Sequence, residues 1–244
     1  MSDTITKKTI PAPGRHPNVK GDAQRIFDVL QAGGLALIPS EVGYALIASS
    51  AEALNRSFAA KNRKPSHTQG IVGTLNTHQK LHILPDETIE MIRTLHQDMD
   101  LSFGVVAPFR KDSPVLQHLS PATLANISKP DGTMAIYVGS SALFLELCRL
   151  SDEAGLLLLG SSANVSGTGQ KFTIETMDPE ILEAADVIVD YGLQRYHVYG
   201  GRASSIIDFA NLKPVRMGSS YELIQERMLK FWGIEMPSDP DFGK

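Results

Sequence analysis

The sequence predicts an α/β protein, a sheet with helices packed on it, and three observations carry that class. Short apolar runs of strand length alternate with segments of helical spacing along most of the chain. One run, Leu156 to Leu159, is apolar at four consecutive positions, which suits a strand covered on both faces. That run then breaks without transition into Gly160-Ser-Ser-Ala-Asn-Val-Ser-Gly167. In sheets with helices on both faces, ligands collect beyond the carboxyl ends of the strands, so this junction is a candidate binding loop.

The chain has 244 residues, 42% of them hydrophobic and 20% charged, enough for one large domain or two small ones. No apolar run approaches the roughly 20 residues that span a bilayer, and Met1 to Lys20 lacks the apolar segment of a secretory signal. The reading is a soluble cytoplasmic protein. Cys148 is the only cysteine, which excludes an intrachain disulfide and a multi-cysteine zinc site; its apolar helical setting makes it a core residue. A net charge of −4 gives no overall electrostatic reason to bind nucleic acid, so direct RNA binding is not expected.

In order, residues 1–20, with Pro11, Pro13 and Pro17, read as a flexible arm. Asp22 is placed to cap a first helix whose Ala23, Ile26, Phe27 and Leu30 share a face, and Gly33-Gly34 ends it. Strands follow at Leu35–Ile38 and Tyr44–Ile47, then a helix opened by a capping box at Ser49–Glu52 and running to about Ala60. Further strands are read at 70–74, 103–108, 133–138, 187–189, 204–209 and 214–216. Helical patterns are read at 77–81, 86–96, 114–119, 121–127, 141–153, 179–185 and 221–232. Tyr191 to Arg202, glycine-rich and aromatic, suits a mobile flap, and Pro237–Lys244 a loose tail. The domain reading is an arm at 1–20, a main domain at 21–220, and a C-terminal helix and tail at 221–244.

Two residue pairs stand out. Ser162 and Asn164 are two apart, and an extended chain would point both into one pocket. Ser, Asn and Gly are equally ordinary turn formers. Lys61 and Arg63 repeat the spacing just past a helix; Pro65 pushes Lys64 toward extended geometry, and an extended exit would aim both cations together. Their other reading is simply charge placed favourably at a helix C-terminus. No G-x-x-x-x-G-K-[ST], G-x-G-x-x-G or H-E-x-x-H motif occurs, and no metal-ligand spacing is evident.

The order Gly34…Ile38-Pro-Ser-Glu-Val-Gly-Tyr44, Lys61-x-Arg63, Ser162-x-Asn164-x-Ser166-Gly167, Ser204-Ser205-Ile-Ile-Asp208 and Arg216-x-Gly218 resembles the YrdC-like family of threonylcarbamoyl-adenylate synthases. The resemblance covers about residues 22–220. It implies a twisted mixed sheet with a large concave groove, and the use of threonine, bicarbonate, ATP and Mg2+ with release of pyrophosphate. It also implies delivery of the product to a partner tRNA-modifying enzyme. By resemblance, Lys61 and Arg63 carry the catalytic charge on ATP phosphates or the carbamate. Ser40, Tyr44, Ser102, Ser162, Asn164, Ser204 and Arg216 bind substrate or nucleotide, with Ser162 and Asn164 on phosphate and magnesium. When a carboxylate attacks the α-phosphate the substrate itself is the nucleophile, so fixed cations and donors suffice.

Departures from the family pattern cluster in one part of the pocket. Val42 stands where a second threonine is usual, Gln69-Gly70-Ile71-Val72-Gly73 replaces a Pro-Leu-x-x-His stretch, Tyr137 aligns with an arginine, and Gly139 with a proline. Asp98-Met99-Asp100-Leu101-Ser102 replaces a proline-rich turn and keeps only the last hydroxyl. The phosphate-binding half is therefore better kept than the amino-acid half. Two alternatives stand beside adenylate formation: a paralogue acting on carbamoyl phosphate or another small carboxylate, and a non-catalytic nucleotide or RNA module.

Overall fold

The computed structural model describes residues 8–9, 16–63 and 68–240. Its strands, β1 (Lys8–Thr9), β2 (Leu35–Ser40), β3 (Gly43–Ala48), β4 (Gly70–Gly73), β5 (Phe103–Pro108), β6 (Thr133–Val138), β7 (Leu158–Ser162), β8 (Val187–Val189), β9 (Ile206–Asp208) and β10 (Lys213–Arg216), form one mixed sheet in the order β1-β8-β2-β3-β7-β4-β6-β5-β9-β10. The helices are α1 (Val19–Gln31), α2 (Ala51–Ala60), α3 (Leu75–Leu81), α4 (Asp86–Arg93), α5 (Pro121–Ile127), α6 (Ala142–Ala154), α7 (Pro179–Ala184) and α8 (Tyr221–Trp232). Among the described residues no helix is long and apolar enough to cross a membrane.

The leucine run explains its own position. β7 lies mid-sheet, antiparallel to β3 and β4, and its successive leucines serve opposite cores. Leu158 joins Ile26, Leu30, Phe144 and Leu147 under α1 and α6. Leu159 joins the larger core on the other face, with Leu54 of α2, Ile92 of α4, Ile181 of α7 and Ile224 of α8. Each such buried side chain contributes roughly 1.5–3 kcal/mol. Cys148 is buried in the α1/α6 core, where burial pushes its thiol pKa up.

The core under α1 and α6 draws its sheet residues from β8, β2, β3, β7 and β4. On the same face, register continues from Tyr137 of β6 to Gly104 of β5, Ile206 of β9 and Arg216 of β10. All four residues line a cavity of about 240 Å³. The concave groove is thus the part of the sheet face that lies beyond the helices. Its floor is low because small residues, among them Gly70, Gly104 and Ala135, sit there; a Cβ added at Gly70 would meet nothing nearer than 3.5 Å.

Several boundaries differ from the sequence reading. Within the stretch read as an arm, Lys8–Thr9 pairs in parallel with β8; residues 1–7 and 10–15 lie outside the described residues. Asn18, not Asp22, caps α1, accepting from Gly21 N–H, while Asp22 accepts from the Tyr191 hydroxyl at 2.7 Å. Ser50 rather than Ser49 caps α2. The Tyr191–Arg202 segment is stitched down: Tyr196 is buried and its N–H donates to the Glu41 carbonyl, and Gln194 N–H donates to the Phe172 carbonyl. The tail is also anchored as far as it is described, through Tyr221 to the Pro237 carbonyl and Arg202 to Asp239.

Candidate active site

α2 ends in a tight C-cap, not an extended exit. Asn62 adopts φ +49°, with Asn62 N–H bonded to Ala59 O and Arg63 N–H to Phe58 O, the paired bonds of a left-handed helix stop. The two cations consequently part company. Lys61 is 1% exposed, and its ammonium donates to the carbonyls of Ser162 and Asn164, the latter at 3.0 Å. Ser166 N–H returns a bond to the Lys61 carbonyl. Arg63 instead lines the groove, and among the described residues its guanidinium has no hydrogen-bond or carboxylate partner. Lys64 and Pro65, on which the extended exit rested, lie outside the described residues.

The second pair also divides. Asn164 N–H bonds to the Ser162 carbonyl at 3.1 Å, so the chain turns at Ala163. Ser162 lines the groove, whereas the Asn164 side chain, 9% exposed, donates to the Val165 carbonyl at 2.8 Å. Lys61 and the Ser162–Asn164 turn therefore meet as an ammonium under two backbone carbonyls, a clasp joining two loops that are distant in sequence. Burial first, and then the Arg63 charge, push the Lys61 pKa down to about 7, with Asp178 opposing.

At the far edge Arg216 lines the groove with Ser204, donating from Nε to the Ser204 carbonyl at 2.7 Å and from Nη2 to its hydroxyl at 2.8 Å. Burial and then the neighbouring Arg63 charge hold the Arg216 pKa below its ordinary value; burial does the same to Arg63. Two guanidinium groups near enough to repel one another make a site for an anion. Lys129 adds a third cation to the lining, and among the described residues that line the groove there is no Asp or Glu. Sequence reasoning missed Lys129, a single cation in the Ser-Lys-Pro-Asp-Gly turn before β6 with no local signal.

The other predicted hydroxyls turn inward. Ser40 lines the groove but donates to the Gly43 carbonyl at 2.6 Å. The Tyr44 hydroxyl sits 2.9 Å from Asp190 Oδ1 and 3.0 Å from the Gly192 carbonyl, and accepts from Tyr191 N–H; burial and Asp190 raise its pKa. Ser102 is fully buried against the Ser140 hydroxyl at 3.2 Å. Glu41 is a structural centre: its buried carboxylate accepts from the Tyr137 hydroxyl at 2.9 Å, Ser140 N–H at 2.8 Å and Ser141 N–H. The amides belong to the N-terminus of α6, whose dipole favours the negative charge.

Magnesium finds only part of a site. The groove offers hydroxyls such as Ser162, but no carboxylate among the described lining residues, and no cluster of three His, Cys, Asp or Glu side chains forms among the described residues. This donor set fits an ion carried in on a triphosphate, not one held by protein alone.

Fold and groove together define a class: α/β proteins with a concave, cation-lined cleft over one half of a mixed sheet. Within it, the chain belongs to the Sua5/YciO/YrdC family, described as "Telomere recombination", whose match spans residues 28–218. No curated protein matches the chain significantly. Among solved structures it is similar to the hypothetical protein smu.1377c of Streptococcus mutans UA159, with TM-score 0.74 and 17% identity over 96% of this chain and 98% of that one. It is also similar to P. abyssi Sua5 complexed with L-threonine, with TM-score 0.65 and 20% identity over 89% of this chain and 59% of that one. Full-length HypF in a phosphate- and nucleotide-bound form gives TM-score 0.60 and 18% identity over 84% of this chain and 30% of that one. The chain thus spans less than two thirds of Sua5 and of HypF.

Proposed function

We propose that this protein is an enzyme, a nucleotidyltransferase that forms a carbamoyl- or acyl-adenylate from ATP, with L-threonylcarbamoyladenylate from L-threonine, bicarbonate and ATP as the reference product. One observation carries the reading: Arg63, Lys129 and Arg216 line the groove with no carboxylate among the described lining residues, in a chain whose net charge is −4. A triphosphate between Arg63 and Arg216 relieves their mutual repulsion, and Ser162 and Ser204 supply hydroxyls on either side. The attacking carboxylate oxygen forms a bond to the α-phosphorus, the bond to the bridging oxygen breaks, and pyrophosphate leaves with the electron pair. The cations bring two anions together and stabilise the charge that grows on phosphate. Ser162 would offer its hydroxyl to a magnesium ion carried in on ATP, and the bound ion would supply charge neutralisation on phosphate.

The clasp between Lys61 and the Ser162–Asn164 turn positions this end and acts through the loops. Sua5 with threonine and HypF with phosphate and nucleotide support, by likeness of fold, a small carboxylate or amino acid and a nucleotide as ligands. A mixed anhydride hydrolyses readily, so a cytoplasmic partner enzyme that passes the group to tRNA fits the product. The second reading, carbamoyl phosphate as donor, draws on the same phosphate-binding half and is separated by product mass. Pyrophosphate release with ATP, magnesium, bicarbonate and each amino acid tests the proposal; silence across the panel, with carbamoyl phosphate also inert, overturns it.

A further inference from the structure

Two neutral polar side chains in the groove lining lack partners. Among the described residues six buried side-chain nitrogen or oxygen atoms have no hydrogen-bond partner. Three of them, both amide atoms of Gln69 and the Ser161 hydroxyl oxygen, belong to residues that line the cavity. Gln69 is 2% exposed. The register of β4 with β7 runs out at Gly70 opposite Gly160, so Gln69 and Ser161 are the next residues outward on neighbouring strands. Gln69 N–H donates to the Asn126 carbonyl at 2.7 Å, which ties the backbone there to the end of α5. The other glutamine of the lining, Gln170, donates to the Tyr44 carbonyl at 3.5 Å. A buried amide left bare is unfavourable where an apolar residue of similar shape would serve, so its retention points to something that completes it.

The bare groups define what fits. A carboxamide carries a donor and an acceptor side by side. A carboxylate only accepts and leaves Gln69 Oε1 unpaired. An ammonium only donates, and Arg63, Lys129 and Arg216 share the cavity with no Asp or Glu among the described lining residues. An amide-type edge, an N–H beside a carbonyl oxygen or ring nitrogen, satisfies both atoms at once, as when a glutamine pairs with adenine. Gly70, the next residue, leaves room beside the amide: a Cβ there meets nothing nearer than 3.5 Å.

We propose that Gln69 and Ser161 form a polar subsite that reads a neutral amide-type edge of the ligand. Two sources carry such an edge, the base of the nucleotide and a carboxamide on the acid that attacks it. The subsite rests on the adenylate-forming reading and adds residues that set its specificity. Gln69→Leu and Ser161→Ala test it, and both variants should keep at least the parent Tm because no internal bond is lost. Calorimetric titration with MgATP and with magnesium tripolyphosphate reads the base. Gln69→Leu should weaken ATP on the order of tenfold to a hundredfold and leave tripolyphosphate unchanged. Pyrophosphate release with ATP, bicarbonate and asparagine, against the similarly shaped leucine, reads the acid. The parent protein should favour asparagine in kcat/KM on the order of tenfold to a hundredfold, and Gln69→Leu should lose that preference. Either result supports the subsite and identifies its source. ATP affinity and the asparagine-to-leucine ratio unchanged in both variants would mean that the groups hold water only, which overturns the subsite and leaves the adenylate reading standing. Equal weakening of ATP and tripolyphosphate, or a lowered Tm, would make Gln69 structural and also overturn it. A parent protein that binds neither ATP nor tripolyphosphate and releases no pyrophosphate with any acid overturns the adenylate reading together with the subsite.

Discussion

The two ends of the groove handle polar groups in opposite ways. At the cationic end, Arg63 has no partner among the described residues, and its charge adds to burial in holding the Arg216 pKa down. At the Tyr137 end a buried carboxylate is surrounded by donors, and its hydroxyl neighbours are paired internally. Unsatisfied charge in a folded protein is costly and is retained where a ligand completes it, while satisfied polar groups serve the scaffold. On the proposed reading, the contrast makes the cationic end the place for an anion, while the Glu41 network serves the scaffold.

The largest effect that can break this contrast is at Arg63. Arg63→Ala should reduce kcat/KM for ATP on the order of a hundredfold, by removing a charge-assisted contact to phosphate. Its thermal midpoint should stay that of the parent protein, because no internal partner is lost; a large drop in Tm would mean that Arg63 is structural. Lys61→Ala should behave differently. It strips the donor from the Ser162 and Asn164 carbonyls, so turnover falls together with about 2–4 kcal/mol of stability, read from urea unfolding. Loss of activity at full stability would place Lys61 on substrate instead of in a clasp.

Glu41→Gln probes the other end. The amide presents N–H where Ser140 and Ser141 already donate, costing about 1–3 kcal/mol of stability, while ATP affinity measured by calorimetry changes less than twofold. A smaller effect concerns protons. Folding lowers the Lys61 pKa from 10.5 to about 7, so between those values the unfolded chain holds the proton that the folded one lacks. The Lys61 contribution to stability therefore rises with pH through that window and is absent from the slope in Lys61→Met. An anion beside Arg63 pushes the Lys61 pKa back up, so ATP binding at pH 8 should take up protons, seen as a dependence of binding enthalpy on buffer ionisation.

The fold was legible where one pattern decided one element. β5, β6, β8 and α8 have the boundaries that spacing gives, and the Leu158–Leu159 pair faces two cores as a fully apolar strand must. The sheet-and-groove architecture and the family follow from motifs spread over the whole chain. Local geometry at the site was not legible. Period-2 reasoning assumes an extended backbone, but Asn62 turns left-handed and the chain folds back at Ala163, so Lys61 separates from Arg63 and Asn164 from Ser162. The pairing of Glu41 with Tyr137 joins residues 96 positions apart, which no window of sequence contains. Lys129 reaches the groove only because β6 neighbours β5 and β4 in space.

A structure of the protein with a non-hydrolysable ATP analogue and magnesium tests the central claim most directly. The account predicts the triphosphate between the Arg63 and Arg216 guanidinium groups, within hydrogen-bond distance of both, with Lys61 still under the Ser162 and Asn164 carbonyls and no phosphate near Tyr137. A triphosphate seated against Tyr137 and Glu41, or outside the groove with Arg63 untouched, would contradict it.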